Sequence, residues 1–197
     1  MLNYLKAELI GNRLKDTKFD AVFTSDLGRA HHTAKIIVSK NETNYDENQI
    51  QLTKLAREQD CPGFEHKPYQ TLIDHFSKMA HLGPDRVLKV KGGESREDVF
   101  KRAGELLIYI SDEAFKPENQ WKNVFVVSHQ AWICESQNFV ANYNTGTEDY
   151  DAQPIKNCSV SILEVKKSSG VEGDEEKGMR RRLLVFSRKS IFLSMLC

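Results

Sequence analysis

The sequence predicts an α/β fold with a mainly parallel sheet, on three observations. Short apolar, β-rich runs alternate with longer segments of helical spacing. One run, residues 124–128 (VFVVS), is apolar almost throughout, the pattern of a strand covered on both faces. The chain has 197 residues and is 40% hydrophobic, which suffices for one domain with a sizeable core. No repeat, interior linker or composition shift marks a second domain.

The elements follow in order. Leu2, Leu5 and Leu9 recur at helical spacing, so the chain opens in a helix. Residues 19–24 (FDAVFT) form a short buried strand. Ser25 and Asp26 are N-cap candidates for a helix over 27–38. A second strand is expected over 49–55. Pro62 and Gly63 mark a loop over 61–67, and a helix over 69–82 is ended by Gly83-Pro84. Residues 91–95 form a turn, with Ser95 placed to cap a helix running to about 115. After the strand at 124–128, a helix covers 131–143. Two late strands are expected at 159–165 and 183–187, separated by a charged, solvated loop. Residues 1–187 are therefore one domain, and 188–197 are a tail with no assigned feature.

Acidic and basic residues balance at 28 each. Zero net charge argues against a dedicated nucleic-acid or anionic-membrane surface. Cys61, Cys134, Cys158 and Cys197 are scattered without a pairing pattern, as in a reducing compartment. No leader-like order of basic then apolar residues opens the chain, and no apolar run approaches the roughly 20 residues of a membrane span. The Asn-x-Ser/Thr triplets at Asn41 and Asn157 are chance matches in that setting. A cytoplasmic location is the expectation.

In parallel sheets, ligands bind beyond the carboxyl ends of the strands. Arg29 follows the first strand, in the first turn of a helix. There the dipole and free N–H groups favour an anion, and a guanidinium matches phosphate oxygens. A surface arginine beside a cap is the plainer reading. His129 directly follows the second strong strand, where it either serves a site as donor or proton shuttle or is a satisfied structural residue.

These residues carry a resemblance. Ser25, Leu27, Arg29, Ala30, Thr33 and Ala34 match Ser-x-Leu-x-Arg-Ala-x-x-Thr-Ala, a motif of the histidine phosphatases, the phosphoglycerate-mutase-like family. Leu55-Ala56-Arg57-Glu58, Gly92-Gly93-Glu94-Ser95, Val127-Ser128-His129 and Asn157-Cys158-Ser159-Val160 resemble its later landmarks, in family order. Gln130 stands where the family has glycine. The likeness covers about residues 2–165. It implies a three-layer α/β/α sandwich and hydrolysis of a phosphomonoester through a phosphohistidine. It also implies that Arg29 and His129, the second histidine of the site, hold the phosphate and stabilise its transition-state charge, with Ser25 supporting the phosphate pocket. Glu58 is the implied general acid, with Glu65 the runner-up because the residues after Glu58 depart from the family pattern.

The family's first strand ends in Arg-His-Gly and supplies the nucleophile and a second arginine. No Arg-His pair occurs here. The expectation is therefore a domain whose central first strand is missing, with a gap between the strand ending at His129 and the one near Val160. Neighbouring strands or another chain would have to close that gap. A truncated gene model, an alternative transcript or a fragment would account for it.

The resemblance implies a small phosphorylated metabolite as partner and no cofactor. Fructose-2,6-bisphosphatase-like or broad sugar-phosphate hydrolysis is favoured over mutase activity. Without the nucleophile the chain as written is expected to be inactive; the alternative is a non-catalytic phosphate- or sugar-phosphate-binding pseudoenzyme. Cys61, His66, His75 and His81 fit no standard zinc spacing. The absence of a Gly-x-Ser-x-Gly elbow disfavours a serine hydrolase.

Overall fold

A computed structural model describes residues 2–146, 150, 159–167 and 184–195. The elements in order are α1 (Leu2–Arg13), β1 (Ala21–Ser25), α2 (Gly28–Ser39), β2 (Gln51–Thr53), α3 (Tyr69–Met79), α4 (Arg96–Ala114), β3 (Val124–Ser128), α5 (Gln130–Thr145), β4 (Val160–Lys167) and β5 (Leu184–Met195). The strands form one sheet in the order β2-β1-β3-β5-β4. β2, β1, β3 and β5 run parallel, and β4 pairs antiparallel to β5.

The sheet divides two apolar clusters, and the division follows strand alternation. Ala21, Phe23, Val124 and Val126 face one cluster with Leu106, Leu107, Ile110, Trp132 and Ile133 of α4 and α5. Val22, Phe125 and Val127 face the other with Ile10, Ala34 and Ile37 of α1 and α2. With side chains of period two and helices on both faces, β1 and β3 have no solvent side, and every residue in both is buried. This is the three-layer α/β/α arrangement. Gly104 lies where α4 crosses α5; a Cβ there would collide with the Phe139 ring, so glycine permits the close approach.

Two caps illustrate how sequence signals translate. Ser95 Oγ accepts from Asp98 N at 3.1 Å while Asp98 Oδ2 accepts from Ser95 N at 2.9 Å, a reciprocal capping box opening α4. At α2 the N-cap position is Leu27, which provides no side-chain cap. Ser25 Oγ instead accepts from Leu27 N at 3.3 Å, and the Asp26 carboxylate turns to Arg57. The strand expected over 49–55 is shorter than predicted. It spans Gln51–Thr53, flanked by single 3-10 turns at Glu47–Gln49 and Lys54–Ala56, the second capped by Thr53.

The place between β3 and β4, expected to stand open, holds β5. Its register with β3 runs from Phe125↔Phe192 to Ser128↔Met195. The sequence reading stopped this strand at 187 and left 188–197 without a feature, because Arg188 and Lys189 interrupt the apolar pattern. In the fold the strand runs on past them to Met195, and its residues 192–194 pair with β3 on one side and β4 on the other, across a register shift in the β4 pairing. Residues 157 and 158 of the late motif, and the greater part of the charged segment before β5, lie outside the described residues.

Candidate functional site

The carboxyl ends of β1, β2 and β3 open onto a cleft of about 1490 Å³. One side is built from the segment after β1, the turn after β2 and the start of α5. It includes Arg29, Lys54, Arg57, Glu58, Arg102 and Gln130. The other side is built from the loop after residue 60 and from α3.

Arg29 sits in the first turn of α2, exposed and lining the cleft. Among the described residues its guanidinium makes no hydrogen bond or ion pair. The neighbouring arginines are engaged. Arg57 grips Asp26 with both Nε and Nη2, at 2.6 and 2.7 Å. Arg102 binds both oxygens of Glu94 and donates to the carbonyls of Leu55, Arg57 and Glu58. Arg96 is bound to the fully buried Glu135. These pairings hold the cleft's frame and leave Arg29 available to an incoming anion.

His129 is fully buried and is the N-cap residue of α5. Its Nε2 shares a 3.0 Å hydrogen bond with the hydroxyl of Ser25, itself fully buried at the end of β1. Its Nδ1 has no partner among the described residues. Burial, then the positive charges of Arg29 and Arg102, push the imidazole pKa from 6.5 down to about 3. The ring is therefore neutral at physiological pH, and the local positive charge is carried by arginine. Ser25 and His129 lie outside the cleft lining, whereas Gln130 and Ala131, next to His129, belong to it.

Glu58 borders the cleft and accepts two hydrogen bonds on Oε1, from Gln59 N and from Ala131 N, both at 3.0 Å. The second contact ties it to the first turn of α5, where the helix dipole favours a carboxylate. Glu65 also lines the cleft, exposed, with Oε2 accepting from Gly63 N at 2.7 Å. Both candidate acids are thus at the cleft, and only Glu58 is tied to the strand-end side.

The glycine turn at Gly92-Gly93 braces the same loop. Gly92 has φ +78°, and a Cβ on Gly93 would strike the Asp60 carbonyl and Pro62. The close approach allows Glu94 N to donate to Asp60 O at 2.8 Å and Gln59 Nε2 to donate to Glu94 O at 3.0 Å. Burial and the acids Asp60 and Glu58 push the Cys61 thiol up to about 11, so it stays protonated. Among the described residues no group of three or more His, Cys, Asp or Glu side chains is arranged to hold a metal ion.

Arg57 and Arg102 escaped the sequence reading. Arg57 stands inside the Leu55–Glu58 motif, and its ion pair with Asp26 depends on β1 and β2 being adjacent. Arg102 sits in the interior of α4, and nothing local distinguishes it from any helix-surface arginine.

Comparison with known proteins places this geometry. The family model described as histidine phosphatase superfamily (branch 1) matches residues 4–172. Similar solved structures include alpha-ribazole phosphatase from Shigella flexneri, with a TM-score of 0.55 and 19% identity over 72% of this chain and 65% of that one. A mycobacterial glucosyl-3-phosphoglycerate phosphatase gives 0.54 and 23%, over 71% and 65%. Phosphoserine phosphatase from Entamoeba histolytica, in complex with 3-phosphoglyceric acid, gives 0.54 and 24%, over 71% and 64%. The chain spans less than two thirds of the length of each of these structures. No curated protein matches by sequence. With the family model covering most of its length, the chain belongs to the histidine phosphatase superfamily, branch 1.

Proposed function

We propose that this chain carries the anion-binding side of a phosphomonoester phosphatase, with Arg29 as the phosphate ligand, His129 and Ser25 as its buried support, and Glu58 as the acid that protonates the leaving oxygen. The observation that carries the reading is the unpaired guanidinium of Arg29 at the uncapped start of α2, in a cleft whose other arginines are engaged. That the Entamoeba relative of this fold was solved with 3-phosphoglyceric acid supports a small phosphorylated metabolite as the ligand.

Covalent phosphoryl transfer in this family needs a nucleophilic histidine aligned with the leaving group. His31 and His32 lie on α2, His75 on α3, and His66 and His81 on the loops around it. His129 is buried against Ser25, with its charge suppressed. Residues 1–197 therefore bind a phosphomonoester without turning it over, and hydrolysis requires a histidine they do not supply.

The test uses the 197-residue chain. Calorimetry is expected to detect binding of inorganic phosphate that Arg29→Gln weakens by about tenfold, the effect of roughly 1.4 kcal/mol from one charged hydrogen-bonding partner. No acid-labile phosphoprotein and no hydrolysis of p-nitrophenyl phosphate are expected. Turnover by the unaltered chain that disappears in His129→Ala would overturn the assignment of roles, and phosphate binding indifferent to Arg29 would overturn the site.

A further inference from the structure

The phosphate end occupies a small part of the cleft. Its volume of about 1490 Å³ exceeds the 300–1,000 Å³ of ordinary small-molecule pockets. The remainder is faced by α3. Tyr69, Leu72, Ile73, Phe76 and Ala80 of that region line the cleft, at spacings of three and four residues, with Ser77 on the same face, so they form one mostly apolar stripe. Gln70, Asp74 and Lys78 lie off that stripe. None of the residues of α3 is buried; Tyr69 is 72% and Ile73 39% exposed. Among the described residues no other helix or strand packs substantially on α3. Phe64 joins the same wall from the preceding loop.

A helix that directs its apolar stripe into a cleft, and not into a core, leaves that surface for an occupant. The strand-end part of the same cleft selects the occupant's charge, because the unpaired guanidinium there calls for an anion. A sugar needs many polar partners. At the strand ends, however, the other arginines and Glu58 are already engaged, as Arg57 with Asp26, Arg102 with Glu94 and Glu58 with Ala131 N. Resting on the reading of Arg29 as the phosphate ligand, we propose that the cleft takes a phosphomonoester whose organic part is apolar or aromatic, lying against α3, in preference to a polyhydroxylated sugar phosphate.

The experiment compares binding of inorganic phosphate, 1-naphthyl phosphate and glucose 6-phosphate by calorimetry. The 197-residue chain and its Arg29→Gln, Tyr69→Ser and Ile73→Ser variants are used, with sedimentation to follow association state. Naphthyl phosphate is expected to bind at least about tenfold more tightly than the other two, the scale set by burying one ring face. Ile73→Ser and Tyr69→Ser should remove most of that margin and leave phosphate binding unchanged, while Arg29→Gln weakens all three ligands. Equal or tighter binding of glucose 6-phosphate, with Arg29 still required, overturns this inference and leaves the phosphate site standing. Failure of all three ligands to bind overturns both. Self-association abolished by Tyr69→Ser, without a naphthyl preference, makes a second copy of the chain the occupant and also overturns it.

Discussion

The two sides of the cleft are built on opposite plans. On the strand-end side, polar groups are buried or half-buried and interlocked: His129 on Ser25, Glu58 on the start of α5, Arg102 across three carbonyls and Glu94, and Glu135 between two arginines. On the α3 side nothing is buried, and apolar side chains stand open. A densely interlocked polar frame fixes charges in place but is costly to disturb, because each partner removed strands another. An open apolar wall contributes little to folding and can vary freely. On the proposed reading, the comparison teaches that ligand charge is read by the part that also holds the fold together, and ligand shape by a part that does not.

The sharpest way to break the comparison is at Glu135. It is fully buried on α5, accepting from Arg86 at 2.8 Å, Arg96 at 2.8 Å and Asn138 at 3.1 Å. Arg86 is further held against the Tyr150 ring. Replacing Glu135 with alanine leaves Arg96 without its carboxylate and Arg86 with only the longer 3.6 Å contact to Glu97. Because both arginines retain some exposure, the expected loss is about 3 kcal/mol, the lower end of the range for breaking a buried pair. Urea unfolding measures it; a loss under about 1 kcal/mol, the scale of a surface ion pair, would mean the frame is not stabilised by this network.

The second effect is a pH dependence. The His129 pKa is depressed in the fold from 6.5 to about 3. Between those values the unfolded chain binds a proton that the folded chain does not. The stability contribution is therefore complete above pH 6.5 and is lost as pH falls toward 3. The slope reaches about 1.4 kcal/mol per pH unit. Asp26 and Asp98, whose carboxyls are held below the usual range by Arg57 and by Ser95, add loss in the same direction only at lower pH. The window from about 4.5 to 6 thus isolates the histidine from the carboxylates. Unfolding free energies across it should fall steeply in the parent and flatten in His129→Gln. Equal slopes would mean that the imidazole is not desolvated in the fold.

How much of this could be read from the sequence follows the same division. The buried strand at 124–128 and the Ser95 cap are local patterns and lie where expected, and the candidate residues Arg29, Glu58 and Glu65 all line one cleft. His129 follows its strand as expected, but its burial and pairing with Ser25 needed the adjacency of β1 and β3. Asp26 looked like a cap because short carboxylates favour that position; its binding to Arg57 arises only once β2 lies beside β1. Arg102 and Glu135 are legible only in three dimensions, since their partners lie on other elements. The extent of β5 was not legible because its place in the sheet is defined by backbone pairing at 184–187 and 192–195, on either side of the charged residues 188 and 189.

The smallest expected effect closes the comparison from the α3 side. Tyr69 and Ile73 expose 72% and 39% of their surface, and no strand or helix packs substantially against them. Serine at either position removes no buried contact and strands no polar partner. It lowers helix propensity by a few tenths of a kcal/mol at most. Each variant should therefore unfold within about 0.5 kcal/mol of the parent, the range of ordinary surface substitutions. A loss above about 1.5 kcal/mol, of the size seen when a packed side chain is truncated, would place α3 in the folding core and erase the contrast between the walls. Parity in stability with altered affinity for an apolar phosphomonoester would sharpen it, because the same side chains would then act on the ligand and on nothing else.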